Sequence, residues 1–245
     1  MNARLRFGLV TIAAVLAIAL TLALGRWQLS RAAEKEALQA AIESQGSKSA
    51  LDDSAVLAVA DPQTLVHQPA RLRGHWVQDA TVFLDNRQMG ARVGFFVMTP
   101  LLLEGSNAAL VVQRGWIPRN FEKRTDLPQI ETPSGVVEVE GRIAPPPSKL
   151  YEPGTPGTGA IRQNLDLAQF RAQTRLPLMA ITLQQRGAAS EGLLRDWPAV
   201  NLGVDKHYGY ALQWFGLAAL VAGLYFWFGI FRRFIHRPKD TASHV

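Results

Sequence analysis

Hydrophobic and polar positions divide the chain into three regimes. Phe7 to Gly25 is an apolar run without an ionisable side chain, preceded by Arg4 and Arg6. Tyr208 to Phe231 is a second run without charge, and Arg232, Arg233, Arg237 and Lys239 follow at once. Each run matches the roughly 20 residues with which an α-helix crosses a bilayer. Between them, short stretches alternate apolar and polar residues with the period of β-strands. The pattern predicts a membrane protein of the α+β class, with two transmembrane helices flanking a mostly antiparallel, β-rich extracytoplasmic domain.

Taken in order, a helical stretch continues from Arg26 to about Ser44, and the small polar residues Gln45 to Asp53 read as a linker. Strands are expected at Arg71–Val77 and Thr81–Asp85 around a turn at Gln78-Asp79. Two more are expected at Val93–Leu103 and Ala108–Ile117, joined by Glu104-Gly105-Ser106-Asn107. Val136–Ile143 alternates after Ser134-Gly135. The proline- and glycine-rich segment Ala144–Gly159 reads as a long exposed loop. Leu165–Thr174 is expected as a short helix with Asn164 at its N-cap, and Met179–Gln184 as the last strand. The domains expected are an N-terminal anchor over 1–25, an extracytoplasmic domain over 26–206, a second membrane helix over 207–231 and a basic tail over 232–245.

An apolar core longer than the roughly 7–15 residues of a signal peptide makes the first run an uncleaved anchor. Basic residues lie on both of its flanks, so the tail after the second run sets the orientation. Both termini are expected in the cytoplasm and the middle of the chain in the periplasm, the protein sitting in the inner (plasma) membrane. Ala13, Ala17, Thr21 and Gly25 recur every four positions, and Gly209, Gly216 and Gly223 every seven. Such stripes let membrane helices approach closely. At about 100° per residue, His207 and Trp214 lie almost opposite the three glycines. If the two small-residue faces meet, His207 and Trp27 face a flank or a partner protein.

The net charge of +6 changes little, because much of the excess sits in clusters beside the apolar runs and no nucleic-acid motif accompanies it. The absence of cysteine excludes disulfides, thiolate metal sites and a covalent c-type haem link. No nucleophile elbow, phosphate-binding glycine loop or His-Glu-x-x-His pair is present, and no spacing of Ser, His and Asp singles out a triad. The sequence thus offers no constellation for an enzyme. His75 alternates with Arg71 and Arg73 on a polar strand face, while His236 and His244 belong to the basic tail.

His207 stands apart, at the outer end of the second run beside Tyr210, Trp214 and Phe215. Imidazole is the usual protein ligand of haem iron, and an apolar helix with aromatic neighbours suits a flat macrocycle. The competing reading is an interfacial histidine that meets headgroups and water. Trp27 and Gln28, at matching depth on the first helix, are the expected second contacts. Arg114 and Trp116 flank Gly115 and face the same way if their strand is regular. They offer either a docking surface for a partner or a piece of the core.

Five motifs occur together in order. They are Gly25-Arg26-Trp27-Gln28-Leu29-Ser30-Arg31; Phe83-Leu84-Asp85-Asn86-Arg87; Gly94-Phe95 through Thr99-Pro100-Leu101; Val111 through Pro118 around Arg114-Gly115-Trp116; and His207 with Tyr210-Ala211 and Gln213-Trp214-Phe215. Together with the two anchors, they resemble the Surfeit-locus-one (Shy) family of cytochrome oxidase assembly factors over nearly the whole chain. Asp205, Lys206 and Tyr208 depart from the two asparagines and the leucine that some members place around the histidine. The resemblance implies a non-enzymatic helper in building a haem-copper oxidase, associated with haem a reaching the catalytic subunit. It also implies membrane lipid, that subunit and the haem a synthesis machinery as partners. A scaffold that steadies an oxidase intermediate without touching haem is the alternative.

Overall fold

The computed structural model describes residues 2–120, 127–152, 157–197 and 202–231. The basic tail from Arg232, with His236 and His244, lies outside the described residues. The chain forms two units, one of residues 1–40 with 200–245 and one of residues 41–199.

In the first unit, α1 (Ala3–Gly46) is one unbroken helix that runs through the expected boundary at residue 25 and ends in the second unit. Its partner α4 (Val204–Leu224) passes directly into a π-helical segment, Tyr225–Phe231. Arg4–Gly46 and Val204–Gly229 are both long and apolar enough to cross a membrane. Only 6% and 11% of their most apolar windows are buried, unlike the core helix of a water-soluble domain. These two apolar helices suggest a membrane protein.

The second unit carries seven strands: β1 (Pro69–Trp76), β2 (Val82–Met89), β3 (Arg92–Leu103), β4 (Ala109–Pro118), β5 (Val136–Ala144), β6 (Ile161–Arg162) and β7 (Leu178–Gln185). Their order is β1-β5-β7-β4-β3-β2-β6. The end of β3 also pairs with β1, with Trp76 opposite Leu101 and Gly74 opposite Leu103. Strands β1, β5, β7, β4 and β3 therefore close on themselves, leaving β2 and β6 as an extension beside β3. Closure removes sheet edges that would otherwise invite pairing with other chains.

The sheet is mixed, which corrects the mostly antiparallel arrangement expected from the alternation. β7 runs parallel to β4, and β6 parallel to β2. The parallel neighbours come from distant parts of the chain. Side-chain period carries no information about their direction.

One apolar cluster draws on all five strands of the closed ring, including Leu72, Leu101, Leu110, Val139, Ile143 and Ile181. A second forms where α3 (Leu167–Thr174) lays Leu167 and Phe170 against Val82, Leu84, Met98 and Val111. Asp166, not Asn164, caps α3, its carboxylate accepting from the amides of Ala168 and Gln169. Asn164 instead clamps Leu150, accepting from its amide at 2.7 Å and donating to its carbonyl at 2.8 Å. The expected linker is partly ordered too: α1 reaches Gly46, and Asp52 caps the short α2 (Asp53–Ala58).

His67 sits at φ 79, half-buried between a 3₁₀ turn and β1, and its Nδ1 has no hydrogen-bond partner. Burial, followed by the nearby Arg142 cation, holds its pKa below the ordinary imidazole value. The unfolded chain then binds more protons than the folded one in this range. His67 therefore favours folding at neutral pH, and its contribution is lost as pH falls through the ordinary imidazole value toward the lower folded one. Between pH 7.5 and 5, the melting temperature of the wild-type protein is expected to fall more steeply than that of His67→Asn. Asparagine tolerates the left-handed backbone and does not titrate. Parallel profiles would show that protonation of His67 carries no cost.

Candidate functional site

The faces that α1 and α4 bury against each other follow helical spacing. Thr21, Gly25, Gln28 and Ala32 are buried on α1, and Ala211 and Ala218 on α4, with His207 half-buried one turn before Ala211. Gly25 is required by close approach, because a Cβ there would lie 2.6 Å from the Phe215 ring. Only part of the expected stripe on α1 packs in this way: Thr21 and Gly25 are buried, Ala17 is half-buried and Ala13 is exposed. Gly209, Gly216 and Gly223 on α4 instead have no atom within 4 Å of the place a Cβ would occupy.

His207 accordingly points into the seam, contrary to the flank expected for it. The physical reason lies in polarity. Gln28 and His207 are polar side chains at the ends of apolar segments, where apolar surroundings offer neither a partner. Facing inward, they meet with His207 Nδ1 2.7 Å from Gln28 Oε1. At the other end of the pair, the hydroxyls of Thr11 and Tyr225 lie 2.8 Å apart. The 17 residues from Thr11 to Gln28 span about 26 Å of helix, close to the ~30 Å of a bilayer's hydrocarbon core. The two polar ties therefore sit near the opposite boundaries of the apolar stretch.

The oxygen of Gln28 can only accept, so Nδ1 of His207 carries the proton and donates it. Nε2 then bears the lone pair, and it has no hydrogen-bond partner among the described residues. A histidine prepared for a metal has this arrangement: one nitrogen fixed by an acceptor, the other left basic. No group of three or more His, Asp or Glu side chains that could enclose a metal ion occurs among the described residues. Among the described residues His207 therefore stands as a single nitrogen donor rather than as part of an ion-enclosing cluster.

The other expected contacts divide. Gln28 is buried and bonded to His207, while Trp27 on the next position is 53% exposed with the Arg31 guanidinium 6.0 Å from its ring. Trp214 is half-buried on the face of His207, and Tyr210 is 52% exposed, outside the seam. The sequence reading missed Tyr208, whose hydroxyl donates to Glu36 Oε1 at 2.9 Å. It also missed the packing of Phe215 on Gly25. The repeat of Gly25, Gln28 and Ala32 along one helix face was the available signal.

Arg114 and Trp116 are both completely buried, so neither presents a docking surface. The pairing of β4 with β3 slips between Gln113 and Gly115, leaving Arg114 as the extra residue of a bulge. The regular strand that would turn both side chains the same way is absent. Arg114 lies over the Trp76 ring at 4.6 Å and binds Glu191, Thr132 Oγ1 and the carbonyl of Glu131. Trp116 donates from its indole to the Arg87 carbonyl at 2.9 Å and packs on Gly94, where a Cβ would clash with its ring at 2.6 Å.

An apolar helix pair carrying a part-buried His–Gln contact, together with a β-rich unit, defines the class as a protein of two helices long and apolar enough to cross a membrane and a mixed-sheet domain. The model of the SURF1 family matches residues 15–219, and the chain belongs to that family. A "SURF1-like protein" of Rickettsia bellii (strain RML369-C) is 22% identical over 229 residues, covering 91% of this chain and 90% of the relative. Another, from Rickettsia prowazekii (strain Madrid E), is 24% identical over 209 residues, with 82% of each chain covered.

Proposed function

We propose that the protein is a non-catalytic assembly factor for a haem-copper cytochrome c oxidase, and that it receives haem a for delivery to the catalytic subunit. The observation that carries this reading is the His207–Gln28 contact. It fixes one imidazole nitrogen and leaves the other able to bind iron. His207 supplies the axial bond, Gln28 orients the ring, and Trp214 provides a half-buried aromatic flank. Exposed Trp27 and Tyr210 are contacts for the macrocycle or for the subunit that takes it over. Haem a is cargo in this reading, brought by the synthesis machinery and passed on. Protein purified from cells that make haem a should carry it, seen as a Soret band and visible bands that shift on reduction. Haem-free protein from such cells would leave the second reading, a scaffold for an oxidase intermediate. The same hydrogen bond supports that reading as a tie between the helices.

Both termini face the cytoplasm in this account, with the β-rich unit in the periplasm. The basis is the pair of apolar helices and the basic residues after the second. Reporter fusions after Arg31 and after Lys239 should report opposite sides of the inner membrane. The same side for both would contradict two spans.

A further inference from the structure

Between the two helices, at the end away from His207, lies an apolar groove of about 840 Å³. Arg6, Val10, Ala13 and Ala17 line it from α1, and Val221 and Tyr225 from α4 and the π-helical segment. We propose that this groove binds one anionic phospholipid, with an acyl chain along the apolar wall and the phosphate on Arg6. This rests on the membrane-embedded reading of the helix pair and not on haem binding.

Three observations select that occupant. The first is length: from Arg6 to Ala17 the helix rises about 16 Å, half of the ~30 Å hydrocarbon core, so the groove is one leaflet deep. The second is charge. Arg6 is the last residue before the apolar run, at headgroup depth, and it is exposed and makes no ion pair among the described residues. Among the described residues, no acidic side chain lines the groove. The third is that the groove cannot simply close. Ala13 and Ala17 leave space on one wall, and the Thr11–Tyr225 hydroxyl bond fixes the helices beside it. A zwitterionic lipid could fill the apolar wall equally well. Only an anionic one gains from the cation, and anionic lipid is enriched in the leaflet where basic flanks reside.

The full-length protein, stripped of lipid in detergent, would be titrated with phosphatidylglycerol or phosphatidylcholine of the same acyl chains and followed by native mass spectrometry. One phosphatidylglycerol per protein should be retained in preference to phosphatidylcholine. Arg6→Gln should bind it about fivefold more weakly, the loss of one cation at the headgroup surface. Arg4→Gln, outside the groove, should change it less, and Ala13→Phe should reduce retention of both lipids by filling the wall. Equal retention of the two lipids, unchanged by Arg6→Gln, would overturn the proposal, as would a lipid-free dimer whose second copy fills the groove. Flotation of the protein with vesicles separates the two failures. Protein that floats but retains no lipid overturns this site alone, whereas protein that does not float overturns the embedded reading with it.

Discussion

Arg114→Ala is expected to remove the folded protein from the cell, with oxidase yield falling in parallel. The guanidinium is fully buried, and three of its contacts are hydrogen bonds of 2.7–2.8 Å to Thr132, the Glu131 carbonyl and Glu191. Glu191 is held at φ 58, a left-handed conformation unusual for glutamate, and it also lies 3.4 Å from the buried Arg195. Removing Arg114 empties the space over Trp76 and strips the donors from Thr132 and the Glu131 carbonyl. Breaking a fully buried ion pair from one side costs about 3–5 kcal/mol, and this pair lies toward the lower end, because the Glu191 side chain is 19% exposed and keeps Arg195. Whole domains are stable by only about 5–15 kcal/mol. Arg114→Lys keeps the charge but loses the planar fork, and should restore part of the protein level. Immunoblots of membrane fractions beside oxidase assays decide the matter. Normal protein with lost oxidase would restore Arg114 as a docking residue, against its burial.

The contrast between Arg114 and His207 shows what the sequence could and could not convey. Strands β3 and β4 were legible as β-rich runs, being buried along most of their length, and β5 by the alternation of a strand with one face on the core, each to within a residue or two. The slip at Arg114 was not legible, since a bulge depends on the partner strand's register and leaves no mark on its own strand's composition. The two-residue β6 is too short to show a period. The parallel pairing of β4 with β7 joins segments about 70 residues apart, and such direction is set by the route of the chain. Asp166 outcompeted Asn164 as the cap of α3 because Asn164 had a loop to hold.

In the helix pair, the relative directions of side chains were read correctly from 100° per residue. His207 does lie opposite the glycines. The choice of buried face was not, because glycine spacing weighed more in that reading than the need of two polar groups for each other. Gln28 was named as a contact, and it is the residue that turns His207 inward. Trp27, named with it, lies mostly exposed, one position and 100° round the helix.

His207→Ala is expected to leave a folded protein in the membrane with its bound haem a lost and with oxidase made short of that haem. The seam loses one of its two polar ties, while Gly25 against Phe215 and the Thr11–Tyr225 bond remain to hold the helices. Gln28→Leu separates orientation from ligation. It frees the imidazole to rotate and change tautomer, and the loss of such an outer partner typically weakens a metal site about 10–100-fold. Haem should then be bound with reduced occupancy and an altered spectrum, where His207→Ala binds none through this residue. A purely structural seam would move neither spectrum.

Whether His207 holds the iron of haem a is decided by the absorption spectrum of purified wild-type and His207→Ala protein from cells making haem a, at matched protein concentration. The wild type should show a Soret band and reduction-sensitive visible bands, and His207→Ala should lose them despite normal membrane insertion. Haem at wild-type occupancy with an unchanged spectrum in His207→Ala would contradict iron binding by His207.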